Sequence, residues 1–220
     1  MKSPLLPRSP ALLLMKRPLD ELRHHRVGAV KAARIYSNVV SPPVIFAVLG
    51  LVIALWERPF WPGLIWAAVY GFTISLLPIL FVLYLLKTGR IRELHMSNTR
   101  ERHLPYAIAV LCAALLFAIL TLFDGPQTLR CLAIFNMIEL AALGIINVYW
   151  LISMHATGVM ATMVIVWLVF GWQASLVVLP FVISVSWVRL YLKRHTPAQV
   201  AAGLALGVVS VLMLTPFGCF

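Results

Sequence analysis

Histidines and arginines, the side chains best suited to phosphate chemistry, cluster at three places in this sequence. The three groups are His95 to Arg102, Ser153-Met154-His155, and Arg189 to His195. Arginine presents a planar fork of donors that matches phosphate oxygens. Histidine can act as a nucleophile and as a general acid near neutral pH. Together these groups could supply the charge, the nucleophile and the acid that hydrolysis of a phosphate ester requires.

Each group also has a simpler interpretation when it is taken alone. A basic loop between apolar segments is usually a topology signal. A histidine at the end of a membrane span is usually an ordinary interfacial side chain. Thr196, Pro197 and Gln199 fit the capping box that begins a helix. The chemical interpretation therefore depends on whether the chain brings the three groups together.

The elements that must position these groups are membrane-spanning helices. The chain has 220 residues, of which 62% are hydrophobic and only 11% are charged, whereas a soluble domain has about 25% charged residues. This composition excludes an ordinary soluble domain and a disordered chain. We therefore predict an all-α fold, a polytopic transmembrane helical bundle of six to seven spans. The predicted spans lie near 39–56, 62–86, 105–123, 129–150, 156–172, 174–192 and 198–217.

The first part of the chain differs from the rest. Residues 1–38 form a basic tail whose only acidic residues are Asp20 and Glu21, and residues 39–220 form the predicted transmembrane domain. Two interpretations of the tail remain open: residues 18–36 form a helix on the membrane surface, or the tail is partly disordered.

Charge distribution predicts which way the protein faces. Seven spans place the tail and all three histidine and arginine groups on one face, together with 16 of the 18 lysines and arginines. Only Arg58 and Arg130 lie on the other face. The positive-inside rule then predicts a multi-pass protein of the inner (plasma) membrane with a cytoplasmic tail. We attribute the net charge of +11 to topology and to anionic lipids of the bilayer, not to nucleic acid.

Cysteine spacing indicates no further site. Cys112, Cys131 and Cys219 form no Cys-x-x-Cys pair, and two of them lie inside apolar runs. We therefore predict neither a disulfide framework nor a zinc site. The sequence indicates no oligomeric state.

Taken in order, the three groups resemble the motifs of the type 2 phosphatidic acid phosphatase superfamily, over roughly residues 70–217. Arg189, five residues and His195 look like the third motif of that family. Ser153-Met154-His155 resembles its Ser-Gly-His motif, and Arg102 resembles the arginine of the first motif. The ordered trio on one membrane face carries the resemblance.

The resemblance implies a membrane lipid phosphatase that removes a terminal phosphate from a phospholipid or a polyprenyl (di)phosphate. It implies that His195 attacks phosphorus and forms a phosphohistidine, while His155 protonates the leaving oxygen. Arg102 and Arg189 would hold the phosphoryl oxygens, helped by the backbone around Ser153. It implies neither a cofactor nor a metal.

The sequence departs from the family pattern at three positions. His95 stands where the family has lysine, as a pH-dependent phosphate ligand, and Arg100 could substitute for it. Met154 replaces a glycine. Gln199 replaces the aspartate that orients the nucleophile; it could accept the imidazole N–H of His195 without adding charge, or serve only as a helix cap. This change keeps open an alternative function: a phosphatase-like protein of weak or no turnover that binds or transports a phosphorylated lipid.

Three further polar residues, Asn136, Glu139 and Asn147, lie along one side of the fourth predicted span. They could line a substrate cleft or a proton path, but we favour hydrogen-bonded contacts between helices. An unrelated transporter, based on the span count and Glu139, is a third hypothesis.

Overall fold

The computed structural model describes residues 18–20, 25, 27–91 and 99–220. Within these ranges every regular element is a helix, which confirms the predicted all-α bundle. The helices are α1 (Gly28–Val39), α2 (Pro42–Glu57), α3 (Phe60–Lys87), α4 (His103–Leu122), α5 (Gln127–Tyr149), α6 (Met154–Phe170), α7 (Trp172–Tyr191) and α8 (Pro197–Leu212).

Five of these helices are long and apolar enough to cross a membrane, and α1 and α2 together give a sixth segment that bends by 43°. The count agrees with the lower predicted number of spans. The remaining apolar helix, α6, has 17 residues and is shorter than a usual span. All seven predicted apolar runs are helical.

One end of the bundle is closed by a disulfide between Cys131, at the start of α5, and Cys219, after α8. The sequence-based prediction of no disulfide was wrong, because the two cysteines are 88 residues apart and only the fold brings them together. At this disulfide end the Glu57 carboxylate, which ends α2, also accepts hydrogen bonds from Thr128.

The opposite end of the bundle, which we call the basic end, holds Arg189 and His195. Helices α2, α4, α6 and α8 run from the basic end to the disulfide end, and α3, α5 and α7 run back. A ring contact of 5.5 Å between Trp56 and Phe170, for example, places the last turns of α2 and α6 together at the disulfide end. Because the helices alternate in direction, the last turn of α7 lies beside the starts of α6 and α8 at the basic end.

Small residues let α8 pack closely on α6. A Cβ atom on Gly203 would lie 2.7 Å from the Ser153 carbonyl oxygen, and one on Gly207 would lie 2.5 Å from that of Thr157. Glycines four residues apart form the usual surface for close helix contact in membranes. The packing fixes the start of α6, and with it His155, against the start of α8.

Pro78 distorts α3, as expected of a residue that has no backbone N–H to donate. The helix widens to a π turn at Phe72–Leu76, directly before Pro78. The Ser75 hydroxyl in this turn donates to the Pro43 carbonyl of α2.

The described part of the N-terminal tail packs on the bundle. The helix begins at Gly28, later than the predicted 18–36 segment, and Leu19 and Asp20 form a turn. The Tyr36 hydroxyl of α1 pairs with Ser184 of α7 at 2.5 Å. This segment therefore joins the basic end instead of standing apart from it.

The polar residues of α5 make contacts between helices, as we favoured. Asn136 donates to the Tyr70 hydroxyl of α3, and Asn147 donates to the Tyr106 hydroxyl of α4. Glu139 is buried, and one of its carboxyl oxygens has no hydrogen-bond partner among the residues that the structure describes.

Candidate functional site

Arg189 lies in the last turn of α7 at the basic end and is only 6% exposed. After Tyr191 the chain turns sharply: Lys193 adopts a left-handed φ of 53°, and the Arg194 N–H donates to the Arg189 carbonyl. This turn folds His195 back onto the arginine. The spacing of six residues thus brings both side chains to one point.

His195 is held through both ring nitrogens. Its Nδ1 lies 3.2 Å from the Leu151 carbonyl oxygen, and its Nε2 lies 3.3 Å from Nη2 of Arg189. A carbonyl can only accept and a guanidinium can only donate, so these partners assign the proton to Nδ1. Nε2 therefore carries the lone pair that a nucleophile needs, and in this structure that lone pair accepts the hydrogen bond from Arg189.

Burial lowers the pKa of His195 from 6.5 to about 3, and the positive charges of Arg189 and Arg102 act in the same direction. The hydrogen bonds that His195 makes with the Leu151 carbonyl and with the Gln199 side chain raise its pKa and oppose this shift. The charged form of a buried imidazole beside two guanidinium groups is unfavourable. The ring is consequently neutral throughout the physiological pH range.

Gln199 serves as a helix cap, and its side chain also hydrogen bonds to His195, so both roles considered for it are present. Its side-chain oxygen accepts the Thr196 N–H at 3.0 Å, while the Thr196 hydroxyl accepts the Gln199 N–H at 3.3 Å. This reciprocal pair is the predicted capping box. The Nδ1 of His195 points to Leu151, so a backbone carbonyl stands where the family resemblance implies an aspartate.

Ser153 and Met154 face parts of the structure other than Arg189. The Ser153 hydroxyl caps α6 by accepting the Ala156 N–H, and the Ser153 N–H donates to the Gln199 carbonyl. The Met154 sulfur lies 3.8 Å from the Tyr106 hydroxyl. Ser153 caps α6 at the basic end, and the backbone N–H groups at the N-terminus of this helix favour an anion.

His155 lies in the first turn of α6. Its Nε2 is 3.1 Å from the carbonyl oxygen of Ser37, in the last turn of α1. Because the carbonyl accepts, this contact assigns a proton to Nε2 of His155. His155 and Arg189 thus meet through a single residue of the N-terminal helix.

The residues of the first group lie at the edge of the site. Arg102 hydrogen bonds to Tyr106, and its charge acts on His195. Arg100 belongs to the short 3₁₀ helix Thr99–Arg102, and its side chain lies outside the described part of the structure. His95 lies outside the described residues.

Sequence reasoning missed four contributors to this end of the bundle. Ser37, Asp20 and Arg194 act through side chains, and Leu151 acts through its carbonyl. Asp20 is fully buried and bonds to Arg194 at 2.8 Å and to Arg34 at 3.1 Å. The lone acidic pair in a basic tail was the only available signal for Asp20; a backbone carbonyl leaves no signal in a sequence.

Comparisons with family models, with curated proteins and with solved structures found no match for this chain.

Proposed function

We propose that this membrane protein is a lipid phosphatase that removes a terminal phosphate from a phospholipid or a polyprenyl (di)phosphate. The bundle suits an amphiphilic substrate, because apolar helices can hold the lipid tail in the bilayer while the phosphate reaches the basic end. The residues at that end carry the proposal.

One observation supports the proposal most directly: His195 is neutral, with its proton on Nδ1 and its Nε2 directed at Arg189. A buried imidazole in this state is a ready nucleophile, and the adjacent guanidinium is a phosphate ligand. A phosphoryl group that replaces the arginine contact would bring phosphorus to Nε2.

The proposed reaction has two steps. The Nε2 lone pair of His195 forms a bond to phosphorus as the bond from phosphorus to the leaving oxygen breaks. His155 acts as an imidazolium: its Nε2–H stays on the Ser37 carbonyl, and its Nδ1–H gives a proton to the leaving oxygen. Water then attacks the phosphohistidine, returning a proton to His155 and releasing inorganic phosphate. Arg189 and Arg102 stabilise the phosphoryl oxygens in both steps, and the Leu151 carbonyl keeps the His195 ring oriented.

The test is phosphate release from a panel of lipid phosphates by the purified protein in detergent. His195→Ala should abolish release, whereas His103→Ala, which changes an exposed histidine at the same end, should retain it. Acid-labile phosphate on the wild-type protein after quenching would be expected from the phosphohistidine. Equal turnover by His195→Ala and wild type would overturn the mechanism.

The alternative, binding or transport of a phosphorylated lipid without turnover, is favoured by one observation. The Gln199 side chain caps its own helix and carries no charge, and among the described residues no carboxylate is hydrogen bonded to His195 to stabilise its charged intermediate. Gln199→Asp is the discriminating variant. If neither form releases phosphate but both bind the lipid, the alternative is correct.

We further propose that the basic end faces the cytoplasm. The excess of lysine and arginine on this face supports that orientation, and the Cys131–Cys219 disulfide at the other end fits an oxidising compartment. A cysteine introduced at the exposed Thr88, in a Cys112→Ser background, should resist an impermeant thiol reagent in intact cells. Labelling there would overturn the orientation.

A further inference from the structure

Ser37 connects the two residues to which we assign phosphate binding and proton transfer. Its hydroxyl accepts a hydrogen bond from Nη1 of Arg189 at 3.1 Å, and its carbonyl accepts one from Nε2 of His155 at 3.1 Å. The residue is 3% exposed. The N-terminal segment therefore supplies a polar group at the centre of the site.

The position of Ser37 near the end of α1 explains its free carbonyl. The helix ends at Val39, so its last carbonyls have no backbone donor within the helix. The Tyr36 carbonyl accepts a hydrogen bond from the Val40 N–H, whereas the Ser37 carbonyl accepts one from Nε2 of His155. The end of α1 is thus completed by a residue of the site.

The hydroxyl proton of Ser37, unlike its carbonyl oxygen, has no hydrogen-bond partner among the described residues. Buried hydroxyls in other helices of this protein donate to the carbonyl four residues earlier, as Thr162 does to Gly158 and Ser210 does to Leu206. Ser37 has no such bond, and its hydroxyl meets no acceptor among the residues described. Buried polar groups are nearly always paired, so this donor is available to a ligand.

A second donor beside it is also unused. The Nε of Arg189 is buried, and within the described part of the chain it has no hydrogen-bond partner. The Ser37 O–H and the Arg189 Nε–H are thus both unused among the described residues, and they belong to side chains that are bonded to each other through Nη1 of Arg189. A tetrahedral phosphoryl group offers oxygens that could accept from both.

We propose that Ser37 is a phosphate-binding residue, whose hydroxyl donates to a phosphoryl oxygen that Arg189 also holds. The helix α1 is then one wall of the site. This inference rests on the proposed function, since it assigns Ser37 to the same phosphoryl group. The ligand is a phosphate monoester or free phosphate.

The test compares Ser37→Ala with Ser37→Thr, which keeps a hydroxyl. We measure the inhibition constant of inorganic phosphate, and KM and kcat for a short-chain phosphatidate in detergent. Loss of a hydrogen bond to a charged group should raise the inhibition constant about tenfold to a hundredfold in Ser37→Ala, and Ser37→Thr should restore it. A rise in KM for the lipid without a change for phosphate would overturn the inference.

Ser184→Ala is the matched control. It removes the hydrogen bond to Tyr36, which joins the same two helices away from Arg189. If Ser184→Ala weakens phosphate binding as much as Ser37→Ala does, docking of α1 explains the result and the inference is wrong. An unchanged inhibition constant in Ser37→Ala also overturns it.

Failure of the proposed function can be distinguished from failure of this inference by a binding assay that needs no turnover. A wild-type protein without turnover still allows phosphate binding to be measured as a rise in thermal stability with inorganic phosphate. Loss of that rise in Ser37→Ala, but not in Ser37→Thr, would support the inference for a non-catalytic protein. A wild-type protein with neither turnover nor a phosphate-dependent rise would overturn both proposals.

Discussion

The two ends of this bundle use charge in opposite ways. At the basic end, Asp20 is 1% exposed and lies between two arginines, one of which is almost fully buried. At the disulfide end, Asp124 is 91% exposed and pairs with Arg130 at 2.5 Å. A covalent bond closes one end, while buried charges and hydrogen bonds close the other.

The two ends differ in how far water reaches their charged pairs, which bears on our proposal that the basic end binds phosphate. Charges interact more strongly where water is excluded, and a buried donor without a partner is costly unless something binds it. The basic end has such donors on Ser37 and Arg189, and the disulfide end has one, the Nε of Arg130. At the disulfide end the Asp124 carboxylate is exposed to solvent, so its ion pair with Arg130 contributes little to stability.

The largest contrast should appear when the same substitution is made at each end. Arg189→Lys should lower kcat/KM for a lipid phosphate about a thousandfold, because lysine cannot contact Ser37 and His195 together. Arg58→Lys, at the disulfide end, should leave activity within about twofold. Steady-state phosphate release measures both. A loss below tenfold for Arg189→Lys would contradict the assignment.

Removing one carboxylate charge at each end should give the next contrast. Asp20→Asn leaves buried Arg194 without its partner charge and should cost about 3 kcal/mol of unfolding free energy. Asp124→Asn should cost less than about 1 kcal/mol. Thermal unfolding in detergent compares them, and equal losses would show that burial does not separate the two ends.

Breaking the disulfide should separate stability from activity. The double variant Cys131→Ser, Cys219→Ser should lose about 2 kcal/mol of unfolding free energy, with phosphate release per folded molecule unchanged. The same result should follow from reduction of the wild-type protein. If activity falls while the variant stays folded, the two ends are coupled.

The smallest effect concerns pH. The folded-state pKa of His195, about 3, lies below the unfolded value of 6.5. Its stabilising contribution is therefore complete above pH 6.5 and is lost as the pH falls toward 3. Between pH 7 and 5 this loss amounts to about 1–2 kcal/mol.

His195→Asn should flatten that part of the stability curve, whereas His103→Asn should keep the wild-type slope, since His103 is exposed. Thermal unfolding at a series of pH values measures both. A wild-type slope in His195→Asn would show that His195 is not the buried neutral group.

Local pattern was sufficient to predict the helices. Long apolar runs must become helices in a membrane, and Thr196, Pro197 and Gln199 form the cap that their types indicate. These features depend on residues within about ten positions of each other.

The rest of the site depends on distant pairs that spacing does not reveal. Ser37 and Asp20 lie in a tail that we described as separate, yet both contact α7 or the loop after it. The sequence does not distinguish Cys131 from other small residues of an apolar run, because only the fold places Cys219 beside it. The role of Leu151 belongs to its backbone, which every residue type shares.

The N-terminal contacts also determine when the basic end can assemble during synthesis of the chain. Ser37 bonds to a residue 152 positions later in the chain, and Asp20 bonds to one 174 positions later. Both residues leave the ribosome first, and their partners arrive only when most helices have already been made. The basic end is therefore among the last parts of the molecule to assemble, and a chain interrupted before α7 would leave Asp20 without Arg194.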